Sequence, residues 1–152
     1  MKLLILNGPN LNLLGVREPE IYGKQTYNDL CKLIESHAAK RCVEVEIRQT
    51  NHEGVLVDWI QEARGCFDGI VLNPAAYSHT SIALLDAVLA VQIPTVEVHI
   101  SDPLQREPFR RLCFVRSACV ACIRGRGLNG YLEAMDLLIE RTDNPSQREA
   151  RL

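Results

Sequence analysis

The chain has 152 residues, 47% of them hydrophobic and 24% charged, with a formal net charge of −2. That length suits one domain with a real core, and the balance suits a soluble globular protein. Near-neutrality gives no reason to expect nucleic acid or a membrane surface as partner, and the longest apolar runs fall far short of a membrane span.

The chain opens on the apolar run Leu3-Leu4-Ile5-Leu6, which reads as a short buried strand. It is too short for a secretory signal and no small-residue cleavage site follows, so the expected location is the cytoplasm. After it comes a long loop, Asn7 to Gly23, holding Asn10, Arg17 and Tyr22. Compact domains rarely keep such a loop without a use for it, and loops at strand ends can aim polar groups from a rigid scaffold. A helix is predicted over Tyr27 to Arg41, with Thr26 and Asp29 spaced as a capping box. Val43 to Gln49 alternates strictly, as a half-exposed strand at a sheet edge does.

A second helix is predicted from Val55 to Arg64, then a buried strand over Gly69 to Leu72. Thr80 or Ser81 caps a third helix, Ser81 to Val91, apolar on nearly every face except at Asp86. A helix of that kind is buried on more than one side, which hints at a subunit interface. Thr95 to Val98 makes a fourth strand ending at His99, and Ala118 to Ile123 a fifth. Gly130 to Glu140 forms the last helix, so residues 1–141 read as one domain. The polar tail 142–152 lacks apolar periodicity and is expected to be disordered.

Strand and helix thus alternate along the whole chain. This predicts an α/β, flavodoxin-like three-layer sandwich: a five-stranded parallel sheet in the order 2-1-3-4-5, with helices on both faces. Ligands of such sheets bind at the carboxyl ends of the strands, beside the point where the order reverses. Here those ends carry Asn7 and Asn10, then Asn73 and His79, then His99 and Ser101.

Several chemistries can be set aside. No GxGxxG or Walker-type loop follows the first strand. No lysine lies at the ends of strands three to five, and no cysteine at the ends of strands one, three or four. His79 and His99 have no third metal ligand at the usual short spacing, so no metal site is expected. Of the six cysteines, Cys119 and Cys122 make a lone CxxC, read as part of an apolar strand rather than as a redox pair or half a zinc site.

Acid–base chemistry remains. Tyrosine titrates near ~10 and needs a cation to act as a base near neutrality. Arg17 stands five residues before Tyr22 and can supply it. The plain alternative is a half-buried loop aromatic. Glu97 and His99 share one strand face, and a carboxylate beside an imidazole fixes its tautomer and favours the protonated ring, as a general acid needs. The alternative is a capping histidine. Asn73 and Ser101 can bind hydroxyls or a carboxylate, and Arg110 is either a carboxylate ligand or a solvated charge. A non-catalytic binding module would keep the polar strand ends without needing Tyr22 beside Arg17.

The ordered segments NGPNLNLLG (7–15), REPEIYG (17–23), NHEG (51–54), NPAAY with HTS (73–81), EVH (97–99), REPFR (106–110) and Gly130-Tyr131 together resemble type II 3-dehydroquinate dehydratase. The resemblance implies anti elimination of water from 3-dehydroquinate to 3-dehydroshikimate through an enolate, without metal or cofactor. Tyr22 matches the base that takes the proton, Arg17 the residue that lowers its pKa, and Asn10 the group that steadies the enolate. His99 matches the acid, with Glu97 behind it. Asn73, His79, Arg110 and the backbone of Ile100 and Ser101 match the substrate-binding set. Asp86 matches a residue that reaches a neighbouring subunit's site, in a dodecamer built of trimers. The 17–22 loop resembles a closing lid. Leu112 to Gly127, with Cys113, Cys119, Cys122 and Arg116, departs from the family's small apolar fifth strand and turn.

Overall fold

A computed structural model of the chain describes residues 1–16 and 24–143. Five strands form one parallel sheet: β1 (Lys2–Asn7), β2 (Glu44–Gln49), β3 (Gly69–Asn73), β4 (Thr95–His99) and β5 (Ala121–Arg124), in the order β2-β1-β3-β4-β5. The buried strands β3 and β4, and β1 beyond its first residue Lys2, sit in the middle, and the alternating Glu44–Gln49 forms an edge, as its pattern predicts.

Alternation along the strands feeds two cores. Leu3, Ile5, Val71, Val96 and Val98 face α1 (Tyr27–Arg41) and α4 (Asn129–Asp143), which contribute Leu30, Ile34, Tyr131, Met135 and Leu138. Leu4, Leu6, Ile70 and Leu72 face α2 (Glu53–Glu62) and α3 (Ile82–Val91), with Leu56, Ile60, Leu84 and Val88. The result is the predicted three-layer sandwich.

Local chemistry explains the helix starts. Thr26 and Asp29 close a reciprocal capping box on α1, and the Ser81 hydroxyl accepts from Leu84 N at 2.9 Å to start α3. α2 begins two residues before the expected Val55, because Gly54 falls in the first turn, where backbone donors have no intrahelical partners to lose.

Other boundaries also differ from expectation. Ala118 belongs to a 3-10 turn, Val115–Ala118, and the sheet ladder resumes only where Val120 N donates to Thr95 O at 2.8 Å, so β5 is shorter than Ala118 to Ile123. α4 runs on through Thr142 and Asp143, which shortens the polar tail; residues 144–152 lie outside the described residues. α3 buries Leu84, Ala87, Val88 and Val91 but leaves Ile82 and Leu89 more than half exposed in the single chain.

The turn after β1 is tied to the end of β3. Gly8 N donates to Asn73 O at 2.8 Å, and a Cβ on Gly8 would lie 2.6 Å from the Pro74 oxygen. Only glycine allows that approach, which brings the first and third strand ends together at the site.

Candidate active site

A pocket opens at the carboxyl ends of β1, β3 and β4, where the strand order reverses. Asn10, Asn73, His79, His99, Ile100, Ser101 and Arg110 line it, with Leu11, Leu13 and Pro103 supplying apolar wall.

The floor is set by β4. Glu97 is fully buried, and its carboxylate receives three donors: the Ser78 hydroxyl, His99 Nε2 at 3.0 Å, and the Cys113 thiol at 3.0 and 3.2 Å. Burial alone would keep this carboxyl protonated. The hydrogen bond and charge of His99, with the Cys113 and Ser78 donors, outweigh it and bring Glu97 down to about 2. Glu97 is therefore an anion that holds Nε2 of His99. Nδ1 is the ring nitrogen left to meet a substrate. Gly125 N and Gly127 N donate to the carbonyls of His99 and Ile100, both at 3.1 Å, and fix this strand end.

A second histidine stands beside the first. The rings of His79 and His99 stack with centroids 6.3 Å apart. His79 Nδ1 donates to Leu112 O at 2.6 Å, which leaves its Nε2 as an acceptor in the neutral ring. Burial favours that neutral form; the Leu112 carbonyl opposes this in part, and the charges of His99 and Arg110 add to it.

The β1 and β3 side is a hydrogen-bonded lattice of amides. Tyr131 donates to Asn7 Oδ1 at 2.7 Å and accepts from Asn73 Nδ2 at 2.8 Å, while Asn73 Oδ1 accepts from Ala75 N at 3.2 Å. Asn7 therefore looks into the core, and Asn73 meets the pocket with its amide orientation fixed. Burial holds the Tyr131 phenol far above its ordinary range, against the pull of Asn73, so it acts as a neutral bridge. Tyr131→Phe should leave buried amide atoms without partners and lower stability by about 2 kcal/mol. Urea melts check the stability, and a KM that rises more than kcat falls checks the loosened Asn73.

Asn10 takes the left-handed conformation (φ 67°) that asparagine tolerates, and its N–H donates to Asn51 Oδ1 at 3.0 Å. Gln49 Nε2 donates to the same oxygen at 3.1 Å and to Gly8 O at 3.2 Å. Asn51 thus anchors the start of the loop. On the far wall Arg110 Nε contacts Glu107 at 2.9 Å and Arg106 Nε contacts it at 3.6 Å, which sets two guanidinium groups at the pocket. That pairing suits an anionic, hydroxylated ligand.

Residues 1–139 match the family model for dehydroquinase class II. The chain belongs to the class II dehydroquinases. It is 53% identical to a 3-dehydroquinate dehydratase of Corynebacterium glutamicum over 137 residues, covering 90% of this chain and 94% of that one. It is 51% identical over 143 residues to 3-dehydroquinate dehydratase 2 of Pseudomonas putida, covering 91% and 96%. The crystal structure of a type II dehydroquinase from Butyrivibrio crossotus superposes with a TM-score of 0.90 at 47% identity, covering 91% of this chain and 97% of the other.

Within this dehydroquinase fold, seven expected site residues line one pocket and Glu97 lies directly behind it. Asp86 is exposed on α3 and does not line the pocket. Arg17 and Tyr22 lie outside the described residues. Four contributors were missed: Arg106, Ser78, Cys113 and Tyr131. Arg106 sits in the REPFR segment, where a second arginine four residues from Arg110 was a usable signal. Tyr131 stood in the Gly130-Tyr131 segment of the resemblance without a role, and Ser78 and Cys113 touch the site only through tertiary contacts. Cys113 also corrects the expectation that cysteine stays away from the strand ends, because the chain folds back from Pro108–Arg110 onto Glu97.

Proposed function

We infer that the protein is a hydro-lyase, a type II 3-dehydroquinate dehydratase that forms 3-dehydroshikimate in the shikimate pathway. The observation that carries the reading is His99 at the pocket, with Nε2 held by the buried Glu97 anion. The ring is thereby oriented to give a proton to a leaving hydroxyl. Tyr22, with Arg17 favouring its phenolate, takes the proton next to the ketone. Asn10 steadies the enolate oxygen, the carbon–hydroxyl bond breaks with protonation by His99, and water leaves. Asn73, His79, Ser101, the Ile100 backbone and Arg110 bind the hydroxyls and carboxylate. No metal or cofactor takes part.

The reading extends to assembly and setting. Ile82 and Leu89 flank Asp86 on the exposed face of α3 and favour a homo-oligomer, a dodecamer of four trimers in which Asp86 reaches a neighbour's site. Among the described residues no helix is long and apolar enough to cross a membrane, which is compatible with the cytoplasm. The same reaction serves aromatic biosynthesis and quinate breakdown. The test is the conjugated enone product: purified protein, 3-dehydroquinate and a chelator should give a steady rise in ultraviolet absorbance. A folded protein that binds the substrate without that rise is a binding module instead. Light scattering near the mass of one chain would remove the dodecamer.

A further inference from the structure

β5 pairs with β4 so that Cys122 stands opposite Glu97. Paired residues of neighbouring parallel strands share a face, so Glu97, His99 and Cys122 point to the same side of the sheet. A carboxylate oxygen, a ring nitrogen and a thiol sulfur from these three lie within 4.8 Å of one another. The segment leading into the Val115–Ala118 turn folds over the same face. It sets Cys113 Sγ at 3.0 and 3.2 Å from the two Glu97 oxygens. Ser78 Oγ lies 3.4 Å from both Cys113 Sγ and His99 Nε2, which ties the fourth donor to the same cluster.

We propose that Glu97, His99, Cys113 and Cys122 form a site for a soft divalent cation of the Zn²⁺ type, and that filling it withholds His99 from catalysis. The donor set is one imidazole, one carboxylate and two thiols, the groups that zinc takes in tetrahedral sites. Metal–ligand bonds of about 2.0–2.3 Å imply donor–donor edges of roughly 3.3–3.8 Å; the Glu97, His99 and Cys122 donors already lie within 4.8 Å of one another, and Cys113 Sγ would turn in from its contact with Glu97 to complete the set. Charge supports the same reading. Arg116 lies close enough to Cys113, Cys122 and Glu97 to feel all three, and its buried Nε has no hydrogen-bond partner. One carboxylate and two thiolates would be balanced by the divalent cation and this guanidinium, which leaves the buried cluster neutral. The thiol protons leave to solvent as the metal–sulfur bonds form, and no redox partner is needed. His99 borders the pocket, so a cation can arrive from the substrate side. Once Nε2 is a ligand, the ring can no longer become the doubly protonated imidazolium, and the Nδ1–H that remains is too weak an acid to protonate a leaving hydroxyl.

The binding claim stands apart from the dehydratase reading; only the inhibition rests on it. The full chain is used, with exposed Cys42 and Cys66 changed to serine so that surface thiols do not compete. Titration with Co²⁺ should give thiolate-to-cobalt absorption saturating near one equivalent, and Zn²⁺ should erase it. Cys122→Ala and Cys113→Ser, checked for native circular dichroism, should each weaken cobalt binding at least tenfold. Cys122→Val serves where alanine fails to fold. One equivalent of Zn²⁺ should lower dehydration of 3-dehydroquinate at least tenfold, reversibly with chelator and relative to each variant's own metal-free rate. Absence of the thiolate band, or its survival in both cysteine variants, overturns the site. A band without loss of turnover overturns the switch. The cobalt titration does not use turnover, so an inactive protein would count against the dehydratase reading alone.

Discussion

Tyr22→Phe and His99→Ala are each expected to lower kcat by about 10²–10⁴-fold, the usual contribution of a positioned proton donor or acceptor. The two losses should differ in kind. Enolate formation needs the base, and loss of the hydroxyl needs the acid. In D₂O, unreacted 3-dehydroquinate recovered from His99→Ala should carry deuterium next to the ketone, because the enolate still forms and returns. Substrate recovered from Tyr22→Phe should carry none. Mass spectrometry of the recovered substrate reads the result. Exchange that persists in Tyr22→Phe and vanishes in His99→Ala would reverse the two roles. His99 is oriented by Glu97 at 3.0 Å and stacks near His79, so alanine removes a group with a fixed direction as well as a proton.

The fold was legible because its strongest signals are local. Leu3 to Leu6 and Gly69 to Leu72 are continuous apolar runs, as fully buried central strands are, while Val43 to Gln49 alternates as an edge does. Thr26 with Asp29, and Ser81, announce helix starts through chemistry contained within one turn. The strand ends followed from that frame, and with them Asn73, His79, His99 and Ser101. The region after His99 resisted. Between Ser101 and Val120 the chain makes three short 3-10 turns and no long element, so no period of 3.6 or 2 marks its path. Cys113 reaches Glu97 only because that path doubles back, and Cys122 does so only through the register of β5 against β4. Contacts between positions 16 and 25 residues apart leave no trace in spacing. The Asn7–Tyr131–Asn73 bridge is the same case at longer range: the polar pattern marked both asparagines, but only the packing of α4 shows that Asn7 turns inward.

Glu97→Gln separates the role of the buried charge from that of its shape. In the native protein Glu97 ionises at about 2, against 4.5 for a free glutamate side chain. Its folded value is depressed, so the stability it adds is fully present above 4.5 and is lost as pH falls towards 2. A shift of that size corresponds to about 3 kcal/mol. Wild type should therefore lose about that much more stability than Glu97→Gln across the window, and the two should run parallel above it. Denaturant melts at stepped pH check this, and parallel curves inside the window would mean that the charge adds nothing to folding. Turnover supplies an independent reading. Glutamine still fills the space between Ser78, Cys113 and His99, but it no longer presents the anion that holds the His99 ring at Nε2, so the acid loses its fixed direction. Dehydration should fall about 10–100-fold with KM nearly unchanged, since Glu97 lies beneath the pocket and touches no substrate. A rise in KM with kcat intact would place Glu97 in binding and remove it from support of the acid.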